Sequence, residues 1–366
     1  MSTQTFEWAQ TIQRAVPGLD DDAGIDCSWL TGSIPAGLGT PTSDLDLIVI
    51  ADPAPTASGQ HDVDGRRVDV SMHPLAWLTD AVAATVPYRA TIADNSQLFT
   101  PEPVLKVVSQ LYAGIAVLKD SPAFAQAREE LEAGDAEFRR LLIGREAMYA
   151  NNTYEDLAGF IRDGDVESAL ARSRDLFEFG LSAWCTARGQ VYPGTKWLWR
   201  KLNRVVTDLA IFKAAYLPET TGTVADLQSV HAKHTLTQTL LGQALLLSWS
   251  KLPEARLEPE VPNPAAEGLW RTPGHMPMRF TDVWCLSSGR DLITVPFTAI
   301  VCWTFANGVP VDDLVTRAAD YCRDQFRIAV SLQTIRSLVD RLVEMDVIGA
   351  GTVESLAKEC YGQETA

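Results

Sequence analysis

At 366 residues the chain is too long for one ordinary hydrophobic core, so about two or three domains are expected. Its 46% hydrophobic and 21% charged residues are ordinary for a soluble globular protein, and no apolar run reaches the ~18–20 residues that a bilayer span needs. A net charge of −16 argues against a sequence-independent grip on nucleic-acid backbone, which needs clustered Lys and Arg.

The N-terminal MSTQTFEWAQTIQRAV reads as an amphipathic helix and lacks the apolar core of a signal peptide, so a cytoplasmic protein is expected. Residues 1–100 carry four basic side chains (Arg14, Arg66, Arg67, Arg89), no lysine and thirteen acidic ones. The stretches SWLTGS, DLDLIVIAD and RRVDVSMH are strand candidates separated by Gly/Pro/Ser-rich pieces. Residues 101–250 read as a helical domain, because PVLKVVSQLYAGIAVL, SALARSRDLFEFGLSAWCTARG and TLTQTLLGQALLLSWS repeat apolar residues at three- and four-residue spacing. Residues 251–279 contain six prolines and read as a linker. From 280 to 366, a hairpin turning at Ser287–Arg290 is followed by two or three helices. Six scattered cysteines with no CxxC pair point to buried, reduced thiols rather than to zinc.

Residues 31–50, TGSIPAGLGTPTSDLDLIVI, hold the sharpest signal. In a strand, side chains alternate faces, so Asp44 and Asp46 point one way while Leu45, Leu47 and Val49 point the other. Two like charges ~6–7 Å apart repel, and burial makes the repulsion worse. A divalent cation between them removes that penalty, and Mg²⁺ suits a few carboxylate oxygens with places left for water and phosphate. Asp69, between Val68 and Val70, offers a third carboxylate on the same kind of face, and the turn at Gly32-Ser33 can aim backbone N–H groups and a hydroxyl at a phosphate.

Leu30-Thr31-Gly32-Ser33, ten intervening residues, Asp44-Leu45-Asp46-Leu47 and then Asp69 resemble the DNA polymerase β-like nucleotidyltransferase superfamily over residues 25–75. Thr31 stands where that pattern usually has an apolar residue. The resemblance implies a mixed catalytic sheet with flanking helices. With the helical middle as an all-α substrate-binding domain and a small winged-helix-like α+β domain read from the residues after 280, an α+β chain is expected. The resemblance also implies a two-metal Mg²⁺ site on Asp44, Asp46 and Asp69, phosphate contacts from Gly32 and Ser33, and an NTP substrate, with ATP the first choice.

In the helical middle, Glu178 on an apolar helix either pairs with Arg174 one turn earlier or acts as a base or acceptor-positioning residue. The segment YPGTKWLWRKL resembles a feature of helical domains in small-molecule nucleotidyltransferases acting on aminoglycosides and lincosamides, which implies that Lys196 reaches the triphosphate. Its aromatic residues are equally read as packing. His231 and His234 are expected at the surface.

Residues 280–350 resemble, diffusely, the PqqD-like leader-peptide recognition domain, through VWCLSSGRDLITV, IVCWTFANG and LVDRLVEMDVI. That implies a peptide partner added to a sheet edge; DNA reading and simple packing are the alternatives. Residues 271–366 hold nine basic against twelve acidic side chains, so DNA is the least favoured. The expected activity is transfer of a nucleoside monophosphate to a hydroxyl of a small molecule, an antibiotic or natural-product intermediate. A peptide acceptor or a non-catalytic nucleotide sensor is the alternative.

Overall fold

A run of hydrophobic and β-branched residues on either side of a turn builds the first sheet. The computed structural model describes residues 24–52, 59–63, 65–112, 116–206, 209–210, 212–213, 227–250, 266–289 and 291–361. The N-terminal helix expected from the sequence lies outside them. The fold is α+β, and the chain divides into two units.

The first unit takes its described residues from 24–88, 99–138 and 190–201. Strands β1 (Ile25–Thr31), β2 (Leu45–Ala51), β3 (Gly59–Val63), β4 (Arg66–His73) and β5 (Ala116–Lys119) form one mixed sheet in the order β3-β4-β2-β1-β5. β1 and β2 stand in the middle and are buried almost throughout. β4 alternates, with Val68 and Val70 buried and Arg67 and Asp69 on the other face, as a strand near the sheet edge does. Leu30, Leu45, Leu47, Val49, Val68 and Val70 form one apolar cluster. Helices α1 (Leu75–Thr85), α2 (Glu102–Tyr112) and α3 (Pro122–Ala133) pack on one another. Trp29 lies 4.8 Å, ring to ring, from Phe124 of α3. This unit therefore runs past residue 100, because β5 pairs with the free edge of β1.

The second unit contains the described residues of 89–98, 139–189 and 202–361. Helix α4 (Asp135–Asp163) enters it, followed by α5 (Val166–Ala187), α6 (Leu198–Val205) and α7 (Leu227–Trp249). α5 and α7 pack closely enough for Gly180 to lie against Thr237. Beyond them come β6 (Gly268–Arg271), β7 (Met276–Arg279), β8 (Trp284–Ser288), β9 (Asp291–Val295), α8 (Phe297–Phe305), β10 (Asn307–Val309), α9 (Val311–Phe326), α10 (Leu332–Glu344), β11 (Ile348–Gly351) and α11 (Val353–Tyr361). β10-β6-β11 and β7-β8-β9 are separate three-stranded sheets.

The Pro-rich segment thus contributes strands at 268–271 and 276–279 rather than only a linker. Pro277 is accommodated because β7 is an edge strand, where a missing N–H costs no ladder bond. The hairpin at 284–295 forms as expected, turning at Gly289 with φ of 61°. Leu246 of α7 belongs to the same apolar cluster as Ile300, Trp303, Leu314 and Ile335, so the C-terminal helices share a core with the helical middle.

Buried polar groups tie this unit together. Arg271 is fully buried and donates to the Thr304 carbonyl at 2.6 Å, to Thr239 Oγ1 at 2.7 Å and to Asn307 Oδ1 at 3.0 Å. Among the described residues no carboxylate pairs with it, and burial lowers its pKa to about 9. His231 and His234, expected at the surface, are buried instead: their rings stack on Tyr361 and Tyr154, at 5.6 and 4.8 Å. The six cysteines are free thiols, five of them buried. Among the described residues no helix is long and apolar enough to cross a membrane.

Leu47 sits in the sheet core with no exposed surface. Leu47→Ala is expected to cost about 2–5 kcal/mol through lost burial and a cavity, read as a lowered denaturant midpoint.

Candidate active site

The register of two parallel strands assembles the site. β2 pairs with β4 so that Leu45 lies opposite Val68, Asp46 opposite Asp69 and Leu47 opposite Val70. The leucines and valines of this row face the apolar cluster, which leaves the two aspartates side by side on the other face. The antiparallel pairing of β1 with β2 sets Thr31 opposite Asp46 and brings the chain to Gly32. Gly32 has φ of 92°, a left-handed conformation that favours glycine, and a methyl group there would overlap the Asp46 carboxylate. The glycine of the motif is thus fixed by conformation and by contact at once. Thr31, where an apolar residue was the expectation, is buried and donates its hydroxyl to the Gln110 carbonyl of α2 at 2.9 Å.

After Gly32 the chain makes a tight turn. The N–H groups of Leu38 and Gly39 both reach the Ser33 carbonyl at 2.7 Å, and that of Ala36 reaches Gly32 at 3.2 Å. None of these bonds is donated by Ser33 or Ile34. Ser33 is itself buried. Arg200 holds the far end of the turn, donating to the carbonyls of Leu38 at 2.5 Å and Gly39 at 2.7 Å.

Electrostatics single out Asp46. Its pKa is pushed up to about 6, first by burial, then by the Asp44 charge and, less, by Asp69; Lys106 on α2 and Arg67 pull it back. Tyr192 is pushed up to about 12, by burial and then by the charges of Asp46 and Asp44, and its hydroxyl is hydrogen-bonded by Gln110. The segment 190–201 thus brings Tyr192 within electrostatic range of the carboxylates.

The arrangement around the other two carboxylates was not foreseen. Arg67 lies two residues before Asp69 and so on the same face of β4. Its Nε donates to Asp69 Oδ1 at 2.8 Å, and its Nη2 to Asp69 Oδ2 at 2.6 Å and to Asp44 Oδ2 at 3.0 Å. Among the described residues no group of three or more His, Cys, Asp or Glu is gathered tightly enough to hold a metal ion. The donor chemistry nonetheless fits a hard cation: the groups are all carboxylates, and two of them already hold a positive charge between them.

Of the residues singled out in the sequence, Gly32, Ser33, Asp44, Asp46 and Asp69 lie together in the first unit. Lys196 belongs to that unit but sits 4.7 Å over the Trp197 ring, and among the described residues no ion pair links it to the carboxylates. Glu178 belongs to the second unit and pairs with Arg174 at 3.4 Å, the structural alternative weighed for it. Arg67, Lys106 and Tyr192 were missed. An Arg two residues before a strand Asp was a readable signal for the first; the other two depend on tertiary packing.

Because Asp46 has a higher pKa folded than unfolded, its protonated form favours the fold. Its contribution is full below about pH 4 and is lost as pH rises through about 6. Asp46→Asn is expected to remove this dependence and to stabilise the metal-free protein at pH 8 by on the order of 2–3 kcal/mol, measured by denaturant unfolding across pH 4–8. No model of a known protein family matches this chain, and a search of curated proteins found no match to it, so the reading of the site rests on its own geometry.

Proposed function

We propose that the chain is a Mg²⁺-dependent nucleotidyltransferase that moves a nucleoside monophosphate from an NTP to a hydroxyl of a small molecule. The observation that carries this reading is the in-register pairing of Asp46 with Asp69, with Gly32 pressed against the Asp46 carboxylate. Asp44, Asp46 and Asp69 would hold the metal. Bound there, a divalent cation would lower the pKa of the acceptor hydroxyl and neutralise charge on the triphosphate.

The chain's own groups have distinct tasks in this scheme. The Gly32-Ser33 turn, anchored by Arg200, presents backbone to the β- and γ-phosphates. The acceptor oxygen forms a bond to the α-phosphorus while the bond from that phosphorus to the pyrophosphate oxygen breaks. The hydroxyl proton passes to a carboxylate of the site, Asp69 in this scheme, and pyrophosphate leaves. Tyr192, within electrostatic range of Asp46 and Asp44, would line the acceptor side.

A peptide acceptor is the second reading, favoured by one observation: β9 is an edge strand of the β7-β8-β9 sheet and exposes Leu292.

The test uses NTPs labelled at the α-phosphate, incubated with Mg²⁺, the protein and a small-molecule or peptide extract of the source cells. Label is expected in a low-mass species. Asp44→Ala, Asp46→Ala and Asp69→Ala are each expected to lower transfer by more than about 100-fold, with the fold intact by circular dichroism. Normal turnover by any of the three overturns the assignment, and label on a peptide moves the second reading ahead.

A further inference from the structure

Resting on the reading above, we propose that Arg67 is the resident counter-cation of the carboxylate site, and that a divalent cation binds only by displacing it. One guanidinium engages two of the three carboxylates, with a two-pronged contact to Asp69 and a single bond to Asp44. Both Asp69 oxygens and Asp44 Oδ2 are thereby occupied, which are oxygens a metal would need. The geometry is built into the strand, since Arg67 and Asp69 share a face at the two-residue period of β4.

The arginine is also able to leave. Its side chain is 54% exposed, so it exchanges these contacts for water rather than for an apolar interior. Arg66, one residue earlier, faces the opposite way and donates to the Pro41 carbonyl at 3.2 Å, so it carries the same charge in the same strand without touching the carboxylates. Occupation by Arg67 partly neutralises the site without metal and raises the cation concentration needed to fill it. The effect is local competition for ligand oxygens rather than a general field. Replacing Arg66 and Arg67 in turn therefore separates the two.

The experiment is calorimetric titration of Mn²⁺ into the metal-free full-length protein at fixed ionic strength, without nucleotide. Wild type, R67Q, R67K, R66Q and D46N are compared. R67Q is expected to bind Mn²⁺ about 3- to 10-fold more tightly than wild type. R67K, which keeps the charge but loses the fork, is expected to fall between them, and it carries the comparison if R67Q does not fold. R66Q is expected to stay within about twofold of wild type, and D46N to lose binding. Equal, D46N-sensitive binding in wild type and the Arg67 variants overturns the role of Arg67 while leaving the nucleotidyltransferase reading standing. A tightening in R66Q equal to that in R67Q also overturns it, because bulk charge then accounts for the effect. Absence of binding in every variant overturns both.

Discussion

Asp46 and Asp69 occupy one row of a parallel strand pair, and two carboxylates so close would repel each other if nothing answered their charge. Much of the first unit can be read as the means of keeping them there. On the opposite face, Leu45, Leu47, Val49, Val68 and Val70 lock the register, because a slip by one residue would turn the aspartates into the apolar cluster and the leucines out of it. On their own face, Arg67 bridges two carboxylates and Lys106 moderates the third. Gly32 admits the Asp46 side chain into a space that a larger residue would fill. Core pattern and charge pattern are thus two readings of the same alternation.

The second unit meets the problem of buried charge in another way. Arg271 has no carboxylate partner among the described residues; carbonyls and uncharged side chains from α7, α8 and the start of β10 receive its donors. The cost is a guanidinium with a depressed pKa. The return is one side chain that ties the helical middle to the elements after it. Gln238 of α7 repeats the connection by donating to the carbonyls of Thr272 and His275. Segments that look separable along the chain are joined here by polar contacts as well as by the cluster around Leu246.

Strands that carry their signal locally were legible. β4 and the start of β2 alternate, which put Asp44, Asp46 and Asp69 on view in the sequence, and the resemblance of their pattern named them as a site. Other features depend on partners distant in the chain. β5 is four residues that follow a convincing helix and become a strand only because the β1 edge is open. Gly268–Arg271 sits among prolines and glutamates, and its pairing with β10 and β11 is invisible until those strands exist. Tyr192 and Lys106 meet Asp46 only through tertiary packing. His231 and His234 read as surface residues because their aromatic partners, Tyr361 and Tyr154, lie far away on either side. Arg67 is the instructive exception: its two-residue offset from Asp69 was on view, but attention to the carboxylates alone passed over their nearest cation.

The first unit is assembled from three separated stretches of chain, and this has a consequence for the protein during its synthesis. The turn between Ser33 and Gly39 is tethered by Arg200. A ribosome adding about 5–20 residues per second needs roughly 8–30 s to travel from residue 44 to residue 200. Throughout that interval the growing polypeptide carries its paired aspartates on strands whose neighbouring turn still lacks its arginine tether. Completion of the first unit therefore waits on a segment made after residues 139–189 of the second.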